Sequence, residues 1–541
     1  MPPTSNNPTD WGAAEIARRI ARGEVSSAQV VEAHIARIEA VDGRLNAVVV
    51  RRFDEARAEA AAADAGQAGG EALGPLHGVP ITVKECFQVA GTPATIGLPS
   101  RQGELASEDG LPVRRLRAAG AILLGKTNLP QLMVWHECDN PVYGRTNNPW
   151  NLTRTPGGST GGEAAIVAAR GSPLGIGNDL GGSIRVPAHF CGIHGLKPTS
   201  LRLPRAGAVS TLRGFEAIVT QPGPMARHVE DLWLALRILA DPSDGYLAGD
   251  VVPGSLPDPA TVDLSKLRIG VLTHDGVFPA STGARRAVRE AASALGGLGA
   301  ELVELNDSRA AHPLTSGEFF DIYVGLVGAD GGADGPRLSA GNRLDWRVRR
   351  LMAIAALRPL ARKSLASGLR IAGQAWMTRL VATARPLSAD AYRQLAHRKH
   401  QFVRAAIDRL QRDRIDAILA PPHALPAPQH GKGIDLIAAA SYSMLFNLLG
   451  FPAGVVSTTR VRPGEDQGRP PARDQVLRQA AAVDRGSVGL PLGVQVAALP
   501  WREEKVLAVM KSLESHFASL PDYPGWTPGL LTDLPESVSG R

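Results

Sequence analysis

The chain has 541 residues, 44% of them hydrophobic and 21% charged, an ordinary globular composition. Its three cysteines, Cys86, Cys138 and Cys191, are too few for a disulfide framework, and none stands in a C-x-x-C pair, which argues against a structural zinc site. The net charge of +7 is local: nine basic residues and no acidic one lie between Trp346 and Ala389, so the rest of the chain lacks the basicity of a nucleic-acid binder.

The first residues lack the basic-then-apolar layout of a secretory signal, and no run approaches the roughly 20 apolar residues that span a bilayer. A cytoplasmic protein is the expectation. Residues 11–65 read as two helices, the second capped at Ser26-Ser27 and carrying Val30, Val31, His34, Ile35 and Ile38 at helical spacing. A Gly-rich break follows at 67–74. From Pro75 to Pro224 short apolar runs alternate with glycine, as in Val79–Val83 and Ala121–Leu124, which predicts buried strands between helices. The fold class is therefore α/β, with one large sheet covered by helices.

Further along, Arg268–Leu272 and Glu301–Leu305 read as strands around a helix at Thr282–Leu295. Residues 346–372 form two amphipathic helices divided by Pro359, in which Trp346, Leu351, Ile354, Leu360, Leu365, Leu369 and Ile371 interleave with arginine and lysine. Such a pair either packs on the core as a surface lid or lies in a membrane interface. Residues 387–412 predict a long charged helix, Ala417–Ala420 a strand, and 461–487 a polar surface insertion.

Chemistry concentrates in Pro156–Gly162, PGGSTGG, and Gly177–Arg185, GNDLGGSIR. Two serines, Ser159 and Ser183, sit in separate glycine nests. Successive backbone N–H groups in such a nest point at one anion, which suits a hydroxyl nucleophile beside donors for a developing oxyanion. The structural alternative is a pair of tight turns. A serine nucleophile needs a base, and Lys84 ends the apolar run Gly78–Val83; desolvation there favours the neutral amine, which is a competent general base.

The runs GPLHGVPITVKE, PGGSTGGEAA and GNDLGGSIRVPAHFCGIHGLKPT, in that order, resemble the amidase signature family over roughly residues 11–515. Cys138–Gly144, Asn148–Trp150 and Ala497–Glu504 are most similar to its fatty acid amide hydrolase branch. The resemblance implies one large mixed, twisted sheet with helices on both faces. Residues 1–70 would be a helical segment packed on the core, and 71–541 a catalytic domain with 307–386 as a helical lid or membrane-binding insertion. It implies Ser183 as nucleophile, Ser159, whose peptide bond is cis in the family, as the middle of a relay, and Lys84 as base. The N–H groups of Leu180, Gly181, Gly182 and Ser183 would form an oxyanion hole. Met133, with Ser159, would touch substrate, and Asp179, Arg185 and Thr160 would support the loop. Asn178 departs from the family, which commonly has a small hydroxyl residue there. No metal or organic cofactor is implied. The substrate would be a small-molecule carboxylic amide, of hydrophobic or fatty acyl chains, with esters also cleaved; peripheral membrane contact through 346–372 and a homodimer are both compatible with the pattern.

Two rivals follow from the letters alone, and a third from the family resemblance. Gly120–Thr127 fits the P-loop spacing, though its interior is a strand-like Ala-Ile-Leu-Leu where a phosphate cradle needs an open nest. Gly157–Gly161 fits the G-x-S-x-G elbow, which would make Ser159 the nucleophile with a histidine such as His189, His194 or His228. Within the family, the subunit that supplies ammonia for transamidation of charged tRNA shares the same triad. His397 and His400 lie on a charged helix and read as a solvated face.

Overall fold

The computed structural model describes residues 6–211, 214–242, 251–252, 254–306, 312–333, 337–338 and 340–525. Thirteen strands are present among them: β1 Val48–Arg51, β2 Pro80–Lys84, β3 Ile122–Thr127, β4 Asp139–Asn140, β5 Gly144–Arg145, β6 Leu174–Asp179, β7 His194–Lys197, β8 Gln221–Ala226, β9 Arg268–Val271, β10 Glu301–Glu304, β11 Ala417–Ala420, β12 Ala453–Arg460 and β13 Pro491–Ala498. Eleven of these form one mixed sheet in the order β1-β3-β2-β6-β8-β7-β12-β13-β11-β9-β10, while β4 and β5 pair separately. Strands β2, β3 and β6 run parallel, as do β9, β10 and β11; the other neighbours are antiparallel. Every residue of β2, β3, β6, β8, β11 and β13 is buried. That is the pattern of strands covered on both faces, and it is why their sequences read as short apolar runs without alternation.

The helices supply that cover. Ser26 caps the helix Ser27–Leu45 in a capping box with Gln29, and Ser388 caps Ala389–Arg412. Residues 11–65 differ from the two-helix expectation. They hold the helices Ala13–Ala21, Ser27–Leu45 and, from Phe53, a third that runs to Ala68, and between the last two lies β1, an edge strand antiparallel to β3. The described part of that segment, residues 6–70, therefore contributes to the sheet as well as to the helical cover.

Glycine decides how closely the helix Gly161–Ala168 crosses the sheet. A Cβ on Gly175 would meet the Glu163 side chain at 2.0 Å, and one on Gly177 would meet Thr160 Cγ2 at 2.4 Å. The two glycines lie two apart on β6 and so face the same side. Their missing side chains let Thr160 and Glu163 settle directly on the strand, beside Lys84 at the end of β2.

Residues 312–386 are helical where described, with helices at Glu318–Val327, Trp346–Ala355, Pro359–Ile371 and Ala375–Thr383; residues 307–311 of the expected insertion lie outside the described part. Two of its basic residues turn inward, contrary to a wholly solvated basic face. Arg347 is buried and bridges Glu137, Asp139 and Asp345. Arg362 donates to the carbonyls of Ile354, Ala355, Val381 and Ala384, the open C-terminal ends of two neighbouring helices. Arg350 and Arg379 pair with Asp435 and Asp321. Arg349, Arg358, Lys363, Arg370 and Arg385 remain exposed, and Leu360 and Ile371 beside them are 80% and 89% exposed. The stretch 461–487 is likewise more than a surface insertion: its helix Gln475–Asp484 buries Val476, Ala480 and Val483, and the Asp474 carboxylate accepts from Trp376 N at 3.0 Å. No described helix is long and apolar enough to cross a membrane.

Candidate active site

Strand β2 delivers Lys84 to the interior. Its amine is fully buried and lies 2.6 Å from Ser159 Oγ, 2.7 Å from Asn178 Oδ1 and 3.2 Å from Thr160 Oγ1. Burial lowers the amine to about 8, despite the raising influence of Cys86, Cys138, Asp179 and Glu163. Burial likewise lifts the Glu163 carboxyl to about 8, against hydrogen bonds donated by the Thr82 and Thr127 hydroxyls. The Gly158–Ser159 peptide is cis, and the helix Gly161–Ala168 starts immediately after Thr160.

Ser183 comes from the turn between β6 and the helix Arg185–Cys191. It lines one cavity together with Ser159 and Asn178, and Thr160 N donates to the Ser183 carbonyl at 3.1 Å, which ties the two serine-bearing turns together. The turn is fastened on both sides of Ser183. Asp179 accepts from Gly182 N at 2.7 Å and Ile184 N at 3.1 Å, and from Arg185 Nε and Nη2 at 3.0 and 2.9 Å. Burial opposes ionisation of this carboxyl, but the Arg185 guanidinium and the donors around it outweigh burial and hold it well below the usual carboxylate range. Arg185 in turn donates to Ser443 O and Gln495 Oε1, and Asn447 Nδ2 donates to Asp179 Oδ1. Gly182, at φ +107°, occupies a backbone region that side chains avoid.

The four N–H groups of residues 180–183 are not equivalent. That of Gly182 is spent on Asp179, so it is withdrawn from the expected oxyanion set; those of Leu180, Gly181 and Ser183 have no protein acceptor among the described residues. The opposite sides of the same peptides are clamped. Tyr323 OH donates to Leu180 O at 3.1 Å, and His136 Nε2 lies 3.2 Å from Gly181 O. Burial lowers His136 to about 4, so the ring is neutral and its Nε2–H is the donor. Neither contact is visible in the sequence, because Tyr323 and His136 lie 143 and 45 residues from the carbonyls they hold. A faint signal exists at Gly181, where a Cβ would meet Tyr323 Oη at 2.3 Å.

Ser183 stands where two cavities meet. One, of about 300 Å³, is apolar and is lined by residues that include Met133, Leu180, Val324, Leu351, Met352 and Met444. The other, of about 180 Å³, is more polar and holds Ser159, Asn178, Arg205, Thr211 and Glu216. Met133 and Leu180 border both.

The rival motifs fare poorly in this geometry. Ile122–Thr127 is a buried central strand, and Lys126 Nζ donates to the Pro93 carbonyl, so no phosphate cradle forms there. His189 sits between Leu425 O and Gly493 N, while His194 and His228 face Glu514 at 3.5 and 3.4 Å; the basic group on Ser159 is Lys84.

Comparison with known proteins points the same way as the geometry. The family model described as Amidase matches residues 29–507. Fatty-acid amide hydrolase 1 of Sus scrofa is 33% identical over 514 residues, covering 92% of this chain and 84% of that protein. One subunit of the glutamyl-tRNA(Gln) amidotransferase of Anaeromyxobacter sp. (strain K) is 32% identical over 521 residues, covering 95% and 97%. Among solved structures, a fatty acid amide hydrolase superposes with a TM-score of 0.82 at 26% identity, covering 95% of this chain and 86% of that one.

Proposed function

The chain belongs to the amidase family and is an amide hydrolase, and from that premise we propose that it cleaves amides of hydrophobic acyl chains through Ser183, Ser159 and Lys84. The observation that carries this reading is the buried Lys84 amine, 2.6 Å from Ser159 Oγ at the edge of a cavity that also holds Ser183. Neutral Lys84 takes the Ser159 proton as Ser159 takes that of Ser183. Ser183 Oγ then attacks the amide carbonyl, and the N–H groups of Leu180, Gly181 and Ser183 receive the oxyanion. The proton returns through Ser159 to the leaving nitrogen, which is expelled as the amine, and water hydrolyses the acyl-enzyme by the same relay. Esters, with better leaving groups, follow the same course.

The apolar cavity supports the substrate class. Burying one methylene is worth about 0.8 kcal/mol, or about fourfold, so kcat/KM should climb with acyl length until the cavity is full. The test is a series of acyl anilides and ethanolamides from acetyl upward, hydrolysed by the purified chain and by its Ser183→Ala and Lys84→Ala variants. Ser183→Ala is expected to lower amide turnover about ten-thousandfold or more. Lys84→Ala should cost about a hundred- to ten-thousandfold on anilides and less on esters. Turnover by Ser183→Ala within a few-fold of the parent would end the nucleophile assignment; no gain beyond acetyl would end the hydrophobic-acyl assignment alone. The amidotransferase relative favours a second reading, in which the same residues release ammonia within a complex; vigorous hydrolysis by the isolated chain argues against it.

Peripheral membrane contact is the accompanying proposal. It rests on exposed Leu360 and Ile371 flanked by Arg358, Lys363 and Arg370 on one helix and the turn before it. Vesicles with anionic lipid should pellet the protein at low salt and release it at high salt. Equal recovery in the supernatant at both salts, with and without vesicles, would remove the idea.

A further inference from the structure

The Lys84 amine touches three oxygens, and a neutral amine has two N–H donors and one lone pair. Which oxygen meets the lone pair decides whether the amine is a base toward Ser159. Two of the oxygens are constrained to accept. Asn178 Oδ1, at 2.7 Å, is an amide oxygen and has no proton to give; its amide is oriented by Nδ2, which lies 3.6 Å from Cys86 Sγ. Thr160 Oγ1, at 3.2 Å from the amine, has its own proton directed to the Asn178 backbone carbonyl at 3.4 Å. The remaining direction, toward Ser159 Oγ at 2.6 Å, is left for the lone pair.

Resting on the Ser183–Ser159–Lys84 reading, we propose that Asn178 is a positioning residue whose acceptor-only oxygen holds one N–H of the neutral Lys84 amine and so turns the lone pair onto the Ser159 hydroxyl. A small hydroxyl at this place, which either donates or accepts, would compete with Ser159 for that lone pair. The amide removes the competition without adding charge to the pocket.

The charge balance around the amine makes this testable by pH. The titratable groups around Lys84 are Cys86 and Cys138, whose thiols burial pushes up to about 11 and about 12; Asp179, ionised and neutralised by Arg185; and Glu163 beneath Thr82 and Thr127. Lys84 works as the free base, so kcat/KM should rise with pH through about 8 and then level. Asn178→Asp keeps the shape and the acceptor but adds a negative charge that favours the ammonium form, which moves the acid limb to higher pH.

The experiment measures kcat and KM for decanoyl para-nitroanilide across about pH 6–10 with the parent, Asn178→Asp, Asn178→Ala and Asn178→Ser. Asn178→Asp should raise the acid limb of kcat/KM by about one to three pH units and regain much of its rate at high pH. Asn178→Ala, which removes the acceptor, should lower kcat about tenfold with KM within about twofold, and Asn178→Ser should recover part of that loss. An unmoved acid limb in Asn178→Asp overturns the proposal. If that variant does not fold, a kcat for Asn178→Ala within about twofold of the parent overturns it. Lys84→Ala separates the two levels: if it keeps its activity, the triad reading has failed, whereas an inactive Lys84→Ala beside an unmoved limb in Asn178→Asp sinks only the role of Asn178.

Discussion

The glycine-rich body at 75–226 and the helices at 318–383 border the same cavity, yet they are held in place on opposite terms. In the first, strands β2 and β6 are wholly buried, Lys84 and Arg185 are completely covered, and the Ser183 turn is fastened by Asp179 on both flanks. In the second, Arg347 and Arg362 pin helix ends, but most of Pro359–Ile371 faces out, and the cavity side is contributed by scattered apolar residues such as Val324, Leu351 and Met352. The difference teaches where each kind of property is stored. Geometry that must hold to a fraction of an ångström is built on rigid, fully satisfied elements, whereas acyl selection needs only an apolar wall of suitable depth.

If that division is right, changing the wall should alter which acyl chains are accepted and leave the chemistry alone. Leu351→Trp would fill part of the 300 Å³ cavity from the helix Trp346–Ala355. Each methylene it excludes forfeits about fourfold, so kcat/KM for a dodecanoyl anilide should fall about ten- to a hundredfold, while the acetyl anilide should stay within about twofold of the parent. Equal losses on both substrates would break the comparison, because they would mean that the helix Trp346–Ala355, which makes no bond to the Ser183 turn among the described residues, nevertheless holds it in place.

The same division governs what was legible in the sequence. The α/β class could be read because apolar runs between glycines are a local signal, and β2, β3, β9 and β11 fall within a residue or a few of the expected stretches. The nests around Ser159 and Ser183 could be read for the same reason: the glycines that make them adjoin the serines. Gly175 and Gly177 stand out only once Thr160 and Glu163 are seen packed against them. The edge strand β1 was not legible, since four residues between two long helices, grading from buried Val48 to exposed Arg51, give no period of their own. Nor were Arg347 and Arg362. Amphipathic spacing shows which residues are charged, and it is silent about carboxylates or helix-end carbonyls that arrive from elsewhere in the fold. The Gly182 N–H was expected from the family resemblance to face the oxyanion, and only the position of the Asp179 side chain shows it bonded elsewhere.

Tyr323 is one place where the two regions touch through a hydrogen bond, and it is where the comparison is sharpest. The residue belongs to the helix Glu318–Val327, it lines the apolar cavity, and its hydroxyl donates to Leu180 O at 3.1 Å. A peptide plane is rigid, so holding the Leu180 carbonyl on one side fixes the Gly181 N–H on the other. Tyr323→Phe keeps the ring and the cavity wall and removes only this tie. A single neutral hydrogen bond contributes about 0.5–1.5 kcal/mol net, which sets the expected loss in kcat at about two- to tenfold. Because the tie acts on the oxyanion donors, the loss should be the same for acetyl and dodecanoyl anilides and should appear in kcat with KM little changed. A loss confined to the long chain would instead place Tyr323 among the residues that merely wall the cavity, and the helices would then have no hand in the chemistry through this contact.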